Sequence, residues 1–161
     1  MFDLNGFLGM TQKEKYQNML LMLDGIIDRK ENLVTNLSNA SSLINALTEN
    51  VSWCGFYILE GNELRLGPFQ GLPACTRISM GKGVCGSAAS KRETIIVEDV
   101  NKFPGHIACD AASNSEIVIP IIVKGELFGV LDIDSTSLDR FNDEDKYYLE
   151  KVVRLLEEKL K

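Results

Sequence analysis

Four cysteines and three acidic residues carry most of the chemistry this 161-residue sequence can offer. The cysteines are Cys54, Cys75, Cys85 and Cys109, and no two stand at C-x-x-C spacing. Structural zinc usually draws on such close pairs and a thioredoxin-type active site consists of one, so both readings are disfavoured. What remains is inert buried thiols, or scattered thiols gathered by the fold for redox work. Cys85 follows Gly81-Lys82-Gly83 at the expected first turn of a helix, where unpaired N–H groups and Lys82 favour a thiolate. At a reference pKa of about 8.5 only about 3% of a thiol is ionised at pH 7, so that position changes reactivity several-fold. The competing reading is a small residue packed into a Gly-Ser-Ala helix. Cys75 lies in Gly71-Leu72-Pro73-Ala74-Cys75, a loop expected to be exposed. Cys109 comes three residues after His106, the only histidine, which either helps to ionise the thiol or only hydrogen-bonds backbone.

The carboxylates follow a strand rule. Asp132 and Asp134 are two apart, with Leu131 and Ile133 on the opposite face, so the two acids share a side, where like charges raise one of the two pKa values. Glu116 precedes the strand expected to pair with theirs. Three carboxylates at one end of a hairpin suit binding an ammonium group, donating a proton, or both. No histidine or further Asp cluster completes a metal site, and neither metal nor other cofactor is expected. On a strand predicted over Ser52 to Leu59, Cys54, Phe56 and Ile58 face one way and read as core. Trp53 and Tyr57 face the other and could wall a pocket, with Gly55 leaving room for a ligand.

Two amphipathic helices must come first. Thr11 and Glu14 form a capping box ahead of Tyr16, Met19, Leu20, Leu23, Ile26 and Ile27, and a second apolar stripe runs from Leu33 to Leu47. Strands are predicted over Ser52 to Leu59, Glu63 to Phe69, Thr94 to Val97, Ile117 to Val123 and Leu127 to Ile133, the last two joined by a turn containing Lys124-Gly125. A short helix holds Ser87-Ala88-Ala89, a long loop runs from Asn101 to Ser115, and Asn142 caps a final helix. About residues 1–50 are then N-terminal helices, 51–135 sheet and site loops, and 142–161 the C-terminal helix. The expected class is α+β, one domain with an antiparallel sheet and its terminal helices packed against it. Packing on the sheet is the first use of those helices; a homodimer through them is the second.

With 45% hydrophobic and 25% charged residues, the chain has the make-up of one soluble domain with a core of its own. Its 17 Lys and Arg against 23 Asp and Glu leave a net charge of −6, so neither nucleic acid nor an anionic membrane is an expected partner. Met1 to Met10 lacks the basic start and cleavage site of a signal peptide, and no apolar run approaches the roughly 18 residues of a spanning helix. A cytoplasmic location is expected.

The segment from Asp99 through Pro104-Gly105-His106 and Cys109 to Ser113, Ser115, Glu116, Ile117 and Pro120 resembles the free methionine-R-sulfoxide reductase family. Trp53-x-Gly55-Phe56-Tyr57, Gly67-Pro68-Phe69-Gln70-Gly71, Cys75-x-Arg77-Ile78, Gly81-x-Gly83-Val84-Cys85-Gly86 and Leu131-Asp132-Ile133-Asp134-Ser135 match its other blocks in order. Cys54 departs from the family, which usually has a small or aliphatic residue there. The resemblance implies a single GAF domain and attack by the Cys109 thiolate on the sulfur of free methionine-R-sulfoxide. One of Glu116, Asp132 and Asp134 would protonate the departing oxygen, and the carboxylates would hold the substrate's ammonium. Trp53 and Tyr57 would enclose the S-methyl group. Cys75 would convert the Cys109 sulfenic acid to a disulfide, with Cys85 as assisting or alternative thiol, and thioredoxin or a similar dithiol would reset it. Local electrostatics alone favours Cys85 as nucleophile. The rival from another class is a non-catalytic GAF module sensing a small ligand or redox state; three thiols around an acidic pocket and the single-domain length weigh against it.

Overall fold

Capping residues set where the helices start in the computed structural model, which describes residues 2–107, 109 and 111–160. Thr11 and Glu14 close the expected capping box on α1 (Gln12–Ile26), and the Asn32 side chain caps α2 (Leu33–Leu47) by accepting from Thr35 N at 2.9 Å. Asn142 and Asp145 form a second box at the start of α4 (Asp143–Lys159). Between α2 and α4 the chain forms β1 (Trp53–Glu60), β2 (Glu63–Gln70), β3 (Arg77–Ser79), α3 (Gly83–Lys91), β4 (Ile95–Val97), β5 (Ser115–Val123) and β6 (Glu126–Ser135). The six strands make one sheet in the order β3-β2-β1-β6-β5-β4, each neighbouring pair antiparallel. Lys124 and Gly125, both at positive φ (53° and 82°), form the two-residue turn that antiparallel strands favour.

Strand alternation divides the core. Cys54 and Phe56 of β1, Ile117 and Ile119 of β5 and Leu131 and Ile133 of β6 pack against Tyr16, Leu23, Leu37, Ile44 and the apolar stripe of α4. Trp53, Tyr57, Val118 and Val130 point to the opposite face, which α3 covers with Val84, Cys85, Ala88 and Ala89. The α+β arrangement and the use of the terminal helices as a layer on the sheet therefore follow the periodicity. Two expectations are corrected. The segment after Gln70 contains β3, whose three residues are too few to show a period. The short helix around Ser87 extends to Lys91, ending where Arg92 turns into the left-handed region (φ 55°).

Candidate active site

The register of the sheet assembles the acidic cluster. Asp134 of β6 lies between Trp53 of β1 and Glu116 of β5, and the next row on that face brings Asp132 between Gly55 and Val118. Directly opposed residues share a face, so Glu116, Asp132 and Asp134 converge on one side, under the start of α3. Cys85, on the first turn of α3, donates to Glu116 Oε1 at 3.9 Å. Cys85 Sγ and one oxygen each of Glu116 and Asp132 lie within 4.8 Å of one another. Such a triad could hold a small cation, and it equally suits an ammonium group with protons shared among its members. Above this floor is a cavity of about 40 Å³, lined from the floor by Trp53, Tyr57, Cys85, Glu116 and Asp132 and from the loops by Pro73, Ala74, His106, Ile107, Cys109 and Ser113.

Electrostatics at the floor favours protonated acids. Burial, then the charges of Asp132 and Asp134, push the Glu116 carboxyl well above the usual carboxylate range. Burial likewise pushes Asp132 up to about 6, while hydrogen bonds to Cys85 and Glu116 pull the other way. Asp132 is only 6% exposed, and its Oδ1 has no hydrogen-bond partner among the described residues. Ser113 Oγ donates to Asp134 Oδ1 at 3.1 Å.

The structure separates the four cysteines. Cys75 and Cys109, 34 residues apart, form a disulfide with a Cα–Cα distance of 5.4 Å at the edge of the cavity. Cys75 is thus half-buried and bonded, not the exposed thiol expected of its loop. Cys54 is fully buried among core side chains, as its strand face predicts. The helix-start argument for a reactive Cys85 is corrected. Burial and the facing Asp132 and Glu116 push its thiol well above the ordinary range, outweighing what one helix end and the exposed Lys82 supply. His106 lines the same cavity as Cys109, and its backbone N donates to Phe103 O at 3.1 Å.

Trp53 and Tyr57 both reach the cavity, their rings stacked at 5.9 Å between centroids. The room expected beside Gly55 belongs to protein. A Cβ at Gly55 would run into Phe69 Cβ and stand 2.7 Å from the Trp53 ring, and one at Gly71 would stand 2.6 Å from that ring, so Gly55 makes space for Phe69 and the indole and Gly71 for the indole. Sequence reasoning assigned Ser113 no role of its own, because a serine in a long loop carries no periodic signal. Its hydrogen bond to Asp134 is visible only in three dimensions.

A family model described as GAF domain matches residues 35–160. The free methionine-R-sulfoxide reductase of Saccharomyces cerevisiae is 49% identical over 155 residues, 91% of this chain and 86% of the yeast protein. That of Escherichia coli is 46% identical over 151 residues, covering 94% and 92% of the two chains. Among solved structures, the free methionine-R-sulfoxide reductase from Neisseria meningitidis in complex with its substrate superposes with a TM-score of 0.89 at 38% identity, covering 94% of this chain and 92% of that one. No described helix is long and apolar enough to cross a membrane. With the GAF model spanning most of its length and these relatives matching almost end to end, the chain belongs to the free methionine-R-sulfoxide reductase family of GAF-domain proteins.

Proposed function

We propose that this protein reduces free methionine-R-sulfoxide to methionine. The observation that carries the reading is the Cys75–Cys109 disulfide beside a cavity floored by acids that resist ionisation. Sulfoxide reduction to a sulfide and water needs two electrons and two protons; the two thiols are the natural source of the electrons, and a buried carboxyl group can deliver a proton to the sulfoxide oxygen. The Cys109 thiolate attacks the sulfoxide sulfur, and Glu116, whose carboxyl is pushed up by burial and then by the charges of Asp132 and Asp134, supplies the proton to the oxygen. Oxygen passes to Cys109 as a sulfenic acid, and methionine leaves with its sulfur reduced by two electrons. Cys75 then attacks the Cys109 sulfur, the S–O bond breaks, and the released hydroxide takes up a proton to become water. Thioredoxin or a similar dithiol returns the disulfide to two thiols, which makes the cytoplasm the proposed compartment. Every group this sequence uses before recycling comes from one chain.

Asp132 and Asp134 receive the substrate's ammonium in this reading. The unsatisfied Asp132 Oδ1 supports it, because a buried carboxylate oxygen without a donor favours a cationic ligand. A peptide-bonded methionine sulfoxide brings no such charge, so the site selects the free amino acid. The rings of Trp53 and Tyr57 meet the S-methyl group. The test is NADPH oxidation coupled through thioredoxin reductase and thioredoxin, with the R sulfoxide, the S sulfoxide and N-acetylated substrate. Turnover with the free R epimer, and little with the other two, is expected. Equal rates on free and N-acetylated sulfoxide would refute ammonium recognition, and no oxidation with the free R epimer would refute the function.

A further inference from the structure

The polar ends of Trp53 and Tyr57 are turned to the protein backbone. Trp53 Nε1 donates to Leu72 O and the Tyr57 hydroxyl to Cys75 O, each at 3.0 Å. The two donors lie four residues apart on one face of β1, a strand held between β2 and β6. Their two acceptors bracket Pro73-Ala74 in the connection from β2 to β3, the segment that carries Cys75. On its far side that segment is anchored where Thr76 O accepts from Leu66 N at 3.1 Å. A central strand thus grips the cysteine-bearing connection at two points.

We propose that Tyr57, assisted by Trp53, positions Cys75 for disulfide closure with Cys109; this rests on Cys75 being the thiol that resolves the Cys109 sulfenic acid. In that step the Cys75 thiolate forms the S–S bond, the Cys109 S–O bond breaks, and hydroxide leaves to become water. An intramolecular attack is fast in proportion to how well the attacking group is held. The grip on Leu72 and Cys75 keeps the Cys75 backbone at the 5.4 Å Cα–Cα distance from Cys109 found in the disulfide. The tyrosine hydroxyl is therefore a positioning group for the second step, separate from whatever its ring contributes to the first.

The test uses fully reduced protein, either unsubstituted or carrying Tyr57→Phe or Trp53→Phe. Oxidation is started with hydrogen peroxide in one arm and with free methionine-R-sulfoxide in the other. Peroxide converts the Cys109 thiolate to a sulfenic acid and is itself reduced to water, so it reaches the same intermediate without substrate. Samples are quenched by alkylation, and the Cys75–Cys109 disulfide and the trapped sulfenic acid are counted by mass spectrometry. Tyr57→Phe keeps the buried ring and loses one hydrogen bond, so closure should slow about two- to tenfold in both arms. The Cys109 sulfenic acid should persist longer, and methionine release should slow less than closure. Trp53→Phe, which removes the bond to Leu72, should slow closure in the same direction. Closure at the unsubstituted rate in Tyr57→Phe would overturn the proposal, as would equal slowing of methionine release and closure. Should sulfoxide oxidise no thiol in the unsubstituted protein, the proposed function falls, and the peroxide arm still decides the positioning role.

Discussion

Removing one buried charge should make this protein more stable and less active. Asp132→Asn keeps the shape of a side chain that is 6% exposed, and replaces an acid whose pKa burial has moved from 3.8 to about 6. Below pH 3.8 the folded and unfolded chains both keep this proton, and the group costs nothing. As pH rises from there through 6, the unfolded chain gives up its proton more readily than the folded one, and stability is lost. A difference of about two pKa units corresponds to about 3 kcal/mol, the penalty the native aspartate carries at neutral pH. Proton sharing with Glu116 recovers part of it, so the expected gain in Asp132→Asn at pH 7.5 is about 1–3 kcal/mol. For a chain of this length that raises the melting temperature by roughly 2–10 °C. Thermal unfolding of both proteins with the Cys75–Cys109 disulfide intact should show the gain at pH 7.5 and its disappearance near pH 4. Turnover of free methionine-R-sulfoxide by the variant should fall at the same time. An Asp132→Asn protein less stable than its parent at pH 7.5, or a gain that ignores pH, would refute the electrostatic reasoning.

Cys54→Ala should leave turnover largely intact and cost about 1–2 kcal/mol in chemical denaturation, because the thiol is fully buried in the helix-side core; loss of recycling would contradict that placement. In the disulfide-bonded protein the cavity of about 40 Å³ has room for about three water molecules, far less than a free methionine sulfoxide. Calorimetric titration of the oxidised protein with methionine or its sulfoxide should therefore give no binding heat, whereas reduced Cys109→Ser should bind the sulfoxide. Equal affinities would refute the idea that reduction must precede binding.

The parts of the site governed by local period were legible before any coordinates. Two-residue alternation separated Cys54 from Trp53 and Tyr57, and put Asp132 and Asp134 on one face. The capping box at Thr11 and the turn at Lys124-Gly125 are equally local, and both stand as read. What failed was long-range. The reactivity argued for Cys85 from its helix start ignored Glu116 and Asp132, brought beneath it by strands 31 and more residues away. Gly55 looked like space for a ligand because nothing in its neighbourhood says that Phe69 of the next strand and the Trp53 ring will fill it. The pairing of Cys75 with Cys109 has no local signature at all, and only the resemblance pointed to it.

The most direct test of the proposed chemistry is the methionine released per chain when reduced protein meets excess free methionine-R-sulfoxide with no reductant present. Cys75→Ser should release about one equivalent and stop with a trappable sulfenic acid on Cys109, since the missing thiol acts only after the sulfoxide is reduced. Cys109→Ser should release none, because a serine hydroxyl is not ionised at neutral pH and cannot replace a thiolate attacking sulfur. A Cys109→Ser protein that still releases an equivalent, with the sulfenic acid trapped on Cys85, would contradict the account and move the nucleophile to the buried helix start.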